Sequence, residues 1–338
     1  MNLKTVAKAA GVSTATVSNV INGVHGKVSQ QTIDRVNKVI RELNYNPSAA
    51  ARSLASKESR IIGLVIPNTG FGMSFSADPY ISDAIAQMER IVRAEGYYLM
   101  LRAVERSKEI TNLAQIWAID GMVILGAFQD DVTEIERVLG NIPTVYTDTY
   151  NAPVPIANVG IDDYKGGFLS ARCFLGKGHK KIALVTPEIG SHGVLLERYR
   201  GFTDALSERG ITLAQEDIFT VNSNRLEDGR SAGTKIAMSG RGYTAVAASS
   251  DILGLGVIKG LQNAGLNVPE DVSVTGFDNL MASRYANPAM TTISQDLEEK
   301  FSLVGKHLFK MIQSKEKYAV DERIDVELIE RQTVKKLL

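Results

Sequence analysis

The side chains that carry most enzymatic chemistry are few and scattered in this chain of 338 residues. The four histidines, His25, His179, His192 and His307, lack the HExxH or other spacing that binds a metal ion. Neither a G-x-S-x-G nucleophile turn nor a G-x-x-x-x-G-K-[ST] phosphate loop occurs. We therefore expect no enzyme, no cofactor and no metal site.

Two features imitate catalytic motifs. Residues 254–260, Gly-Leu-Gly-Val-Ile-Lys-Gly, resemble a dinucleotide-binding loop, so an NAD-dependent enzyme is an alternative. Four residues separate the first glycine from the preceding predicted strand, however, so it cannot make the tight turn beneath a pyrophosphate, and close helix–sheet packing is the favoured interpretation. The adjacent pairs Asp130–Asp131 and Asp162–Asp163 are interpreted as helix caps rather than acid–base pairs. Cys173 is interpreted as a small core residue.

A clearer pattern is formed by carboxylates that follow predicted strands. Asp148, Asp162, Asp251 and Asp278 each stand where a strand of an α/β sheet would end. Ligands of open α/β sheets bind outside the carboxyl ends of the strands. If two such sheets face each other, the four side chains would line one cleft. A strand-end cap is an equally good interpretation of Asp278.

Small polar side chains without a carboxylate cover one face of a predicted helix near the N-terminus. Ser13 can cap this helix, and Val17, Val20 and Ile21 form its inward stripe. The outward side chains are Thr14, Ala15, Ser18, Asn19 and Asn22. Hydroxyls and amides on so narrow a face can enter a major groove and meet base edges and phosphates. A three-helix bundle that binds protein is the alternative.

The elements that position this face are short helices. A first helix has Val6, Ala9 and Ala10 directed inward, and Gly11 supplies the positive φ that ends it. The inward residues of a third helix are Ile33, Val36, Ile40 and Leu43. Helix, glycine-containing turn and helix predict a helix-turn-helix, whose second helix reads the groove.

The charge distribution suits a nucleic-acid partner for this region. The chain has 38 basic and 38 acidic residues and a net charge of +0. Residues 1–60 carry +6 and the remaining residues −6. A basic head on an acidic body is expected to meet a polyanion. A solvated basic face without a partner is the alternative.

Composition indicates an ordinary globular protein, with 44% hydrophobic and 22% charged residues. A single cysteine excludes a disulfide-stapled fold. No apolar run reaches the ~20 residues that a bilayer span requires, and Lys8 interrupts the stretch that a secretory signal would need. We expect a cytoplasmic protein of about two domains without a membrane partner.

An alanine-rich segment follows the head. Asn46 and Pro47 suit a helix start, but a helix of about two turns is marginal in water. We expect it to fold only when it is held. Against DNA, Leu54 could wedge between base steps, and Ala50 and Ala51 would permit close approach. A plain linker is the alternative.

From residue 60 onward, short apolar runs alternate with amphipathic helices. The predicted strands are 61–66, 97–101, 121–125, 144–146, 159–161, 181–186, 245–249, 272–277 and, last, 323–328. This alternation is typical of parallel sheets with helices on both faces. We predict two lobes with a break near residues 151–155 rather than one continuous sheet.

Several runs in a fixed order resemble the lactose/galactose-repressor (LacI/GalR) family of bacterial transcription regulators. They are residues 5–18 (TVAKAAGVSTATVS), 45–47 (YNP), 198–202 (RYRGF), 268–278 (VPEDVSVTGFD) and 290–293 (MTTI). The resemblance implies an α/β fold, with an N-terminal all-α helix-turn-helix domain plus a two-lobed, type I periplasmic-binding-protein-like domain of parallel, doubly wound sheets. It implies a sequence-specific transcriptional regulator, a repressor, that binds near-palindromic double-stranded operator DNA as a homodimer.

The resemblance also implies domain boundaries. Residues 1–46 would form the helix-turn-helix domain, 47–59 the hinge helix and linker, and 60–338 the effector-binding and dimerisation domain. In that fold the chain crosses between the lobes three times. The implied lobes are lobe 1 at about 60–158 and 290–318, and lobe 2 at about 159–289 and 319–338.

Site residues follow from the resemblance too. The residues implied at DNA are Thr5, Ser13, Thr14, Ala15, Thr16, Ser18, Asn19, His25, Tyr45, Ala51 and Leu54. Thr14, Ala15 and Asn19 would read bases in the major groove, and Leu54 of each subunit would wedge into the minor groove. The residues implied at a small-molecule effector between the lobes are Tyr80, Asp148, Arg198, Asn224, Asp251 and Asp278.

The expected effector is a carbohydrate, because an arginine with several carboxylates supplies donors and acceptors for hydroxyl groups. Residues 222–225, Asn-Ser-Asn-Arg, lack the aromatic platform that relatives often have there. The loop 68–77 is long, so Tyr80 would supply stacking instead. A nucleobase or phosphoprotein corepressor is the alternative within the family. A solute-binding protein would share the two lobes but has no use for residues 1–56.

Effector binding would change the angle between the lobes and the separation of the two hinge helices in the dimer. Closure would either melt these helices and release DNA or bring them together and strengthen binding, and the sequence leaves the sign open. A coupling of ~1–3 kcal/mol would shift operator affinity roughly 5- to 150-fold. No heptad repeat follows the last predicted strand, so we expect a dimer rather than a tetramer.

Overall fold

A computed structural model of the chain comprises a helical head and a larger α/β body. It describes residues 2–21, 26, 28–45, 58–67, 78–105, 107–127 and 131–337. The predicted hinge helix at 47–59 therefore lies almost entirely outside the described residues, as do His25, Ala51 and Leu54.

The described head consists of three short helices around a small apolar core. They are α1 (Leu3–Ala10), α2 (Thr14–Ile21) and α3 (Gln30–Glu42). Asn2 caps α1 by accepting a hydrogen bond from the Thr5 amide at 3.1 Å, and Gly11 ends it with a φ of +64°. The core residues are Val6, Ala7, Ala10, Val17, Val20, Ile33, Val36 and Tyr45.

The inward face of α1 differs from the prediction at one position. Ala9 is exposed, and Ala7 is buried in its place. With 3.6 residues per turn, positions 6, 7 and 10 share a face, whereas position 9 lies beside it. The predicted inward residues of α2 and α3 are confirmed, because all of them belong to the head core or pack against it.

The body contains two sheets. The first has the strand order β11-β5-β4-β3-β1-β2 and the second β12-β10-β9-β8-β6-β7. Every neighbouring pair is parallel except β10 and β12. The first-sheet strands are β1 (Ile61–Pro67), β2 (Tyr98–Val104), β3 (Gly121–Leu125), β4 (Thr144–Thr147), β5 (Ala157–Ile161) and β11 (Val320–Ile324). The second-sheet strands are β6 (Ile182–Pro187), β7 (Ile218–Val221), β8 (Ala245–Ala248), β9 (Ser273–Asp278), β10 (Thr291–Gln295) and β12 (Val326–Ile329).

Helices cover both faces of each sheet, as the alternation of elements predicted. The helices of the first lobe are α4 (Pro79–Ala94), α5 (Ser107–Trp117), α6 (Val132–Leu139) and α12 (Leu297–Ser314). Those of the second lobe are α7 (Asp163–Gly176), α8 (Val194–Ser207), α9 (Leu226–Met238), α10 (Asp251–Asn263) and α11 (Met281–Tyr285). Helices α4 and α12 share one core with the first sheet, and α5 and α6 share another. In the second lobe, α9 and α10 share one core with the second sheet, and α7 and α8 share another.

The chain crosses between the sheets three times, after β5, after β10 and after β11. Three crossings were expected, but the predicted lobe boundaries need correction. Residues 159–161 and 320–324 belong to the first sheet, and residues 291–295 to the second. Residues 151–155, where a break between the lobes was predicted, instead connect β4 to β5 within the first sheet. The predicted last strand is two strands in different sheets, separated at Asp325. Apolar periodicity marks a strand, but it does not say which sheet the strand joins.

The glycine-rich segment 254–260 packs helices together instead of binding a nucleotide. It lies within α10, where a Cβ on Gly256 would stand 2.2 Å from the Leu226 carbonyl oxygen and one on Gly260 2.2 Å from that of Arg230. The prediction of close packing is therefore confirmed, with α9 rather than the sheet as the main neighbour. Cys173 is buried in the core, as predicted. Within the described ranges, no helix is both long and apolar enough to cross a bilayer.

Candidate functional site

The second helix of the head presents its small polar side chains outward. Thr14 and Ala15 are exposed, and Thr16, Ser18 and Asn19 are partly exposed. The Ser13 hydroxyl caps the helix by accepting from the Thr16 amide at 3.1 Å. The first turn of α2, which contains no acidic residue, is thus rigidly placed to meet a phosphate or a base edge.

Two other residues predicted at DNA have different surroundings. Thr5, on α1, is exposed and bonds the side chain of Asn2 at 3.1 Å. Tyr45 is only 8% exposed and belongs to the head core. Its ring therefore closes the bundle after α3, a packing role that the sequence interpretation did not assign to it.

The body places a polar network at the carboxyl end of the first sheet. Asp148 follows β4 with a φ of +51°, a conformation that few non-glycine residues adopt. Its carboxylate accepts from Lys300 Nζ at 2.7 and 2.5 Å and from the Tyr80 hydroxyl at 3.0 Å. Strained backbone at a strand end is common where a site is built.

Lys300, the cation of this network, was missed by the sequence analysis. Its side chain is 1% exposed and lies on α12. Its position on the inward stripe of α12 could have revealed Lys300. It stands four residues before Val304 and eight before Leu308, which are both buried. A lysine on an apolar stripe needs a buried partner, and Asp148 is that partner.

A second network joins the lobes around Arg198 of α8. Arg198 Nε donates to Asp163 Oδ1 at 2.7 Å, and Nη1 donates to the Ser249 carbonyl at 2.7 Å. Its guanidinium lies 3.5 Å from the centre of the Phe277 ring. Asp163 also accepts a hydrogen bond from the Tyr150 hydroxyl, which comes from the first lobe.

Asp163 therefore corrects an expectation. Asp162 caps α7 as predicted, accepting from the Lys165 amide at 2.8 Å. Asp163 is not a cap: it is fully buried as the partner of Arg198. Burial raises the pKa of Asp163, and the adjacent guanidinium opposes that shift. Asp131 stands before α6 without a capping hydrogen bond, and Asp130 lies outside the described residues.

Asp278 ends β9 in the same region. It has a φ of +112°, and its Oδ1 accepts from Gln295 Nε2 at 2.7 Å. Burial raises the pKa of Asp278 to about 8, opposed by Arg198 and reinforced by the charges of Asp251 and Asp78. At neutral pH this carboxyl group therefore holds its proton for most of the time.

Asn224 forms a further link between the two lobes. Its Oδ1 accepts from the Ser250 hydroxyl, and its side chain hydrogen-bonds the carboxylate of Asp78. Ser250 is the N-cap of α10 and Asp78 is the N-cap of α4, where it accepts from the Tyr80 amide at 2.9 Å. The residue predicted to touch an effector thus already spans the cleft.

Asp251 is the one predicted effector residue that the structure places elsewhere. Its side chain is completely buried and accepts from the Leu280 amide at 2.7 Å and the Thr292 hydroxyl at 2.5 Å. Burial raises its pKa to about 6. Asp251 lies in the first turn of α10, and its carboxylate bonds the loop after β9. It therefore holds that loop in place instead of facing the cleft.

The arrangement can bind a polar small molecule. It combines acceptors on Asp148 and Asp278 with a donor on Arg198. No group of three or more potential metal ligands is found in the part of the chain that the structure describes. Donors and acceptors held by both lobes suit a ligand with several hydroxyl groups.

Comparison with known proteins covers both the head and the body. The profile described as bacterial regulatory proteins, lacI family, matches residues 2–48, and that described as periplasmic binding protein-like domain matches residues 171–334. The HTH-type transcriptional repressor PurR of Mannheimia succiniciproducens is 33% identical over 342 aligned residues, which cover 99% of each chain.

Solved structures of transcriptional regulators are similar to the whole chain or to most of it. The lac repressor dimer bound to operator and the anti-inducer ONPF has a TM-score of 0.86 at 25% identity, covering 99% of both chains. A LacI family transcriptional regulator from Enterococcus faecium with bound ribose has a TM-score of 0.71 at 26% identity, covering 82% of this chain and 100% of that one.

Proposed function

The chain belongs to the LacI family of bacterial regulatory proteins, and from this premise we propose that it responds to a carbohydrate bound between the two lobes of its body. It is a DNA-binding transcriptional repressor and not an enzyme. A small-molecule effector in the body modulates the affinity of the head for its operator. As a repressor it acts on the chromosome, so we place it in the cytoplasm.

The arrangement around Arg198 is the observation that carries the carbohydrate proposal. Nε and Nη1 of Arg198 are bonded within the protein, which leaves Nη2 to donate to a ligand. Asp278 Oδ2 and the carboxylate of Asp148 supply acceptors from the second and first lobes. A ligand whose hydroxyl groups each donate and accept satisfies such a site from both sides.

A nucleobase is less well served by the same residues. A purine needs a free aromatic face for stacking, and one face of Phe277 is covered by the Arg198 guanidinium. The Tyr80 hydroxyl is held by Asp148 and Lys300 at 3.0 and 3.1 Å. The relatives named PurR make the nucleobase the comparison that an experiment must include.

On the DNA side, we propose the contacts that the resemblance implies. Thr14, Ala15 and Asn19 would read bases, because α2 presents them outward beside a capped N-terminus. Residues 47–59 would form the hinge helix, with Leu54 as the wedge. A homodimer would place two heads on the two halves of a near-palindromic operator.

Substitution of Arg198 by alanine tests the effector site. We expect the wild-type protein to gain thermal stability with one or more sugars, because a ligand that prefers the native state stabilises it. The variant should lose this gain and the effector-dependent change in operator affinity, while it still binds operator. Thermal shift with a panel of sugars and nucleobases, followed by fluorescence anisotropy on operator DNA, measures both.

Arg172→Ala is the matched control, because Arg172 is an exposed arginine on α7 that pairs with Glu208 at 3.3 Å. It should keep the full ligand response. A response to a nucleobase and to none of the sugars would overturn the carbohydrate assignment. A full sugar response in Arg198→Ala would remove Arg198 from the site.

A further inference from the structure

Both cations of the cleft networks are already neutralised by buried carboxylates of the protein itself. Arg198 and Asp163 are 15% and 0% exposed in their side chains and meet at 2.7 Å. Lys300 and Asp148 are 1% and 12% exposed and meet at 2.5 Å. A buried ion pair at this distance leaves little net charge for a ligand.

The pairs are fixed by further hydrogen bonds. The Tyr150 hydroxyl donates to the second oxygen of Asp163 and lies 3.0 Å from the Ile161 carbonyl oxygen. Tyr80 lies between Asp148 and Lys300 and bonds both. A ligand anion at Arg198 Nη2 would therefore meet a guanidinium that Asp163 already neutralises. To bind Lys300, an anion would have to displace Asp148, whose carboxylate would then stay buried without its partner.

Two further carboxyl groups lie near these networks. Asp278 and Asp78 face the cleft without a lysine or arginine bonded to them in the described structure. The carboxylate of Asp78 therefore adds negative charge to this region, which favours a neutral ligand over an anion.

We infer that this cleft selects its ligand by charge: it admits the uncharged form of a hydroxylated small molecule and rejects the phosphorylated or carboxylated form, with Asp163 and Asp148 as the residues that set this selectivity. The inference rests on the proposed function, since it describes the same site. Asp163 and Asp148 thus repel a ligand anion and also position Arg198 and Lys300.

Removal of one carboxylate charge at a time tests the inference. In Asp163→Asn, Arg198 loses its counterion, and in Asp148→Asn, Lys300 does. We expect either variant to gain affinity for inorganic phosphate by about tenfold or more over the wild type, which corresponds to one charge-assisted hydrogen bond. Isothermal titration calorimetry of the full-length protein at constant ionic strength measures this, together with the pairs glucose and glucose 6-phosphate, and ribose and ribose 5-phosphate.

Three further variants separate charge selectivity from a merely structural role. Glu208→Gln removes the same charge from the exposed pair with Arg172 and should gain nothing. Asp163→Glu keeps the carboxylate and should keep the rejection of phosphate. The double variant Asp163→Asn, Arg198→Gln should lose the gain, because the freed guanidinium is gone.

Each outcome of these measurements supports or overturns the proposed charge selectivity. A wild-type protein that binds a sugar phosphate more tightly than the free sugar overturns the inference. So does a failure of both Asn variants to gain phosphate affinity when each binds operator as a folded protein. If one variant does not fold, the other decides, and if neither folds, the wild-type comparison decides. If no sugar binds the wild type but the Asn variants gain phosphate, charge selectivity stands and the carbohydrate assignment fails.

Discussion

At the proposed effector site, we expect the carboxyl group of Asp278 to make ligand binding depend on pH. Its pKa is raised to about 8 because it is buried near other carboxyl groups, and Arg198 compensates only in part. In the unliganded protein the folded state therefore binds a proton more tightly than the unfolded state does. The stability that this group contributes is present below the unfolded pKa near 4 and is lost as the pH rises toward 8.

Effector binding should consequently release protons between about pH 6 and 8. Hydroxyl donors favour the carboxylate form of Asp278, so binding lowers its pKa, and effector affinity should rise by up to about tenfold per pH unit and level off above about pH 8. Titration calorimetry in buffers of different ionisation enthalpy measures the protons released. In Asp278→Asn the affinity should not vary with pH over this range. An affinity that falls with rising pH would mean that the ligand accepts the Asp278 proton.

Among the secondary-structure elements, the helix pair α7 and α8 positions Arg198 over Asp163. The two helices approach so closely at Gly201 that an added Cβ would stand 1.8 Å from the Tyr164 carbonyl oxygen. Backbone, unlike a flexible side chain, cannot yield locally. The geometry of the proposed effector site therefore depends on the close helix contact at Gly201.

Gly201→Ala should destabilise the second lobe by about 2 kcal/mol or more through overpacking, and lower the thermal midpoint by roughly 4 °C or more. It should also weaken effector binding, because α8 would move away from Asp163. Differential scanning calorimetry and the ligand-induced shift measure the two effects. Gly176→Ala is the matched control, since its Cβ would meet nothing within 4 Å. Equal midpoints for the two variants would contradict this account of the helix contact.

For the whole molecule, we expect exposed apolar side chains of α11 to form part of the proposed dimer interface. Met281 and Tyr285 stand one turn apart on α11 and are 75% and 76% exposed. Large apolar side chains so exposed on neighbouring positions indicate an interaction surface. The similar lac repressor structure is a dimer, and a dimer is what allows the lobes to change the spacing of two heads.

Replacement of both Met281 and Tyr285 by aspartate should raise the dimer dissociation constant about 30-fold or more, as expected for loss of a central apolar contact of about 2 kcal/mol. Operator affinity should fall at protein concentrations below that constant. Sedimentation velocity measures the first effect and fluorescence anisotropy the second. Met238→Asp, at a methionine that is 78% exposed on α9, is the control that should remain dimeric. An unchanged dissociation constant in the double variant would place the interface elsewhere.

Much of the architecture was predictable because it depends on neighbours in the chain. The stripe Val17, Val20 and Ile21 and the cap at Ser13 predicted α2, and the alternation of apolar runs with helices predicted doubly wound sheets. Helix and strand periods repeat over a few residues, so they can be read without the fold. Ala9 was predicted to face inward but is exposed, so the helical period was misassigned at this one position.

The partners of the charged residues were decided only by the packed molecule. Asp163 and Arg198 are 35 residues apart in the chain, and Asp148 and Lys300 are 152 apart. Nothing local distinguishes Asp251, which is buried under a loop, from Asp278, which faces the cleft. Which sheet receives the strands at 291–295 and 320–324 was likewise settled by long-range pairing. Composition and local period thus predicted a basic helical head that favours DNA and a body of two α/β lobes. The charge of the proposed ligand site follows instead from contacts between distant segments, because electrostatic energy depends on distance and burial rather than on order along the chain.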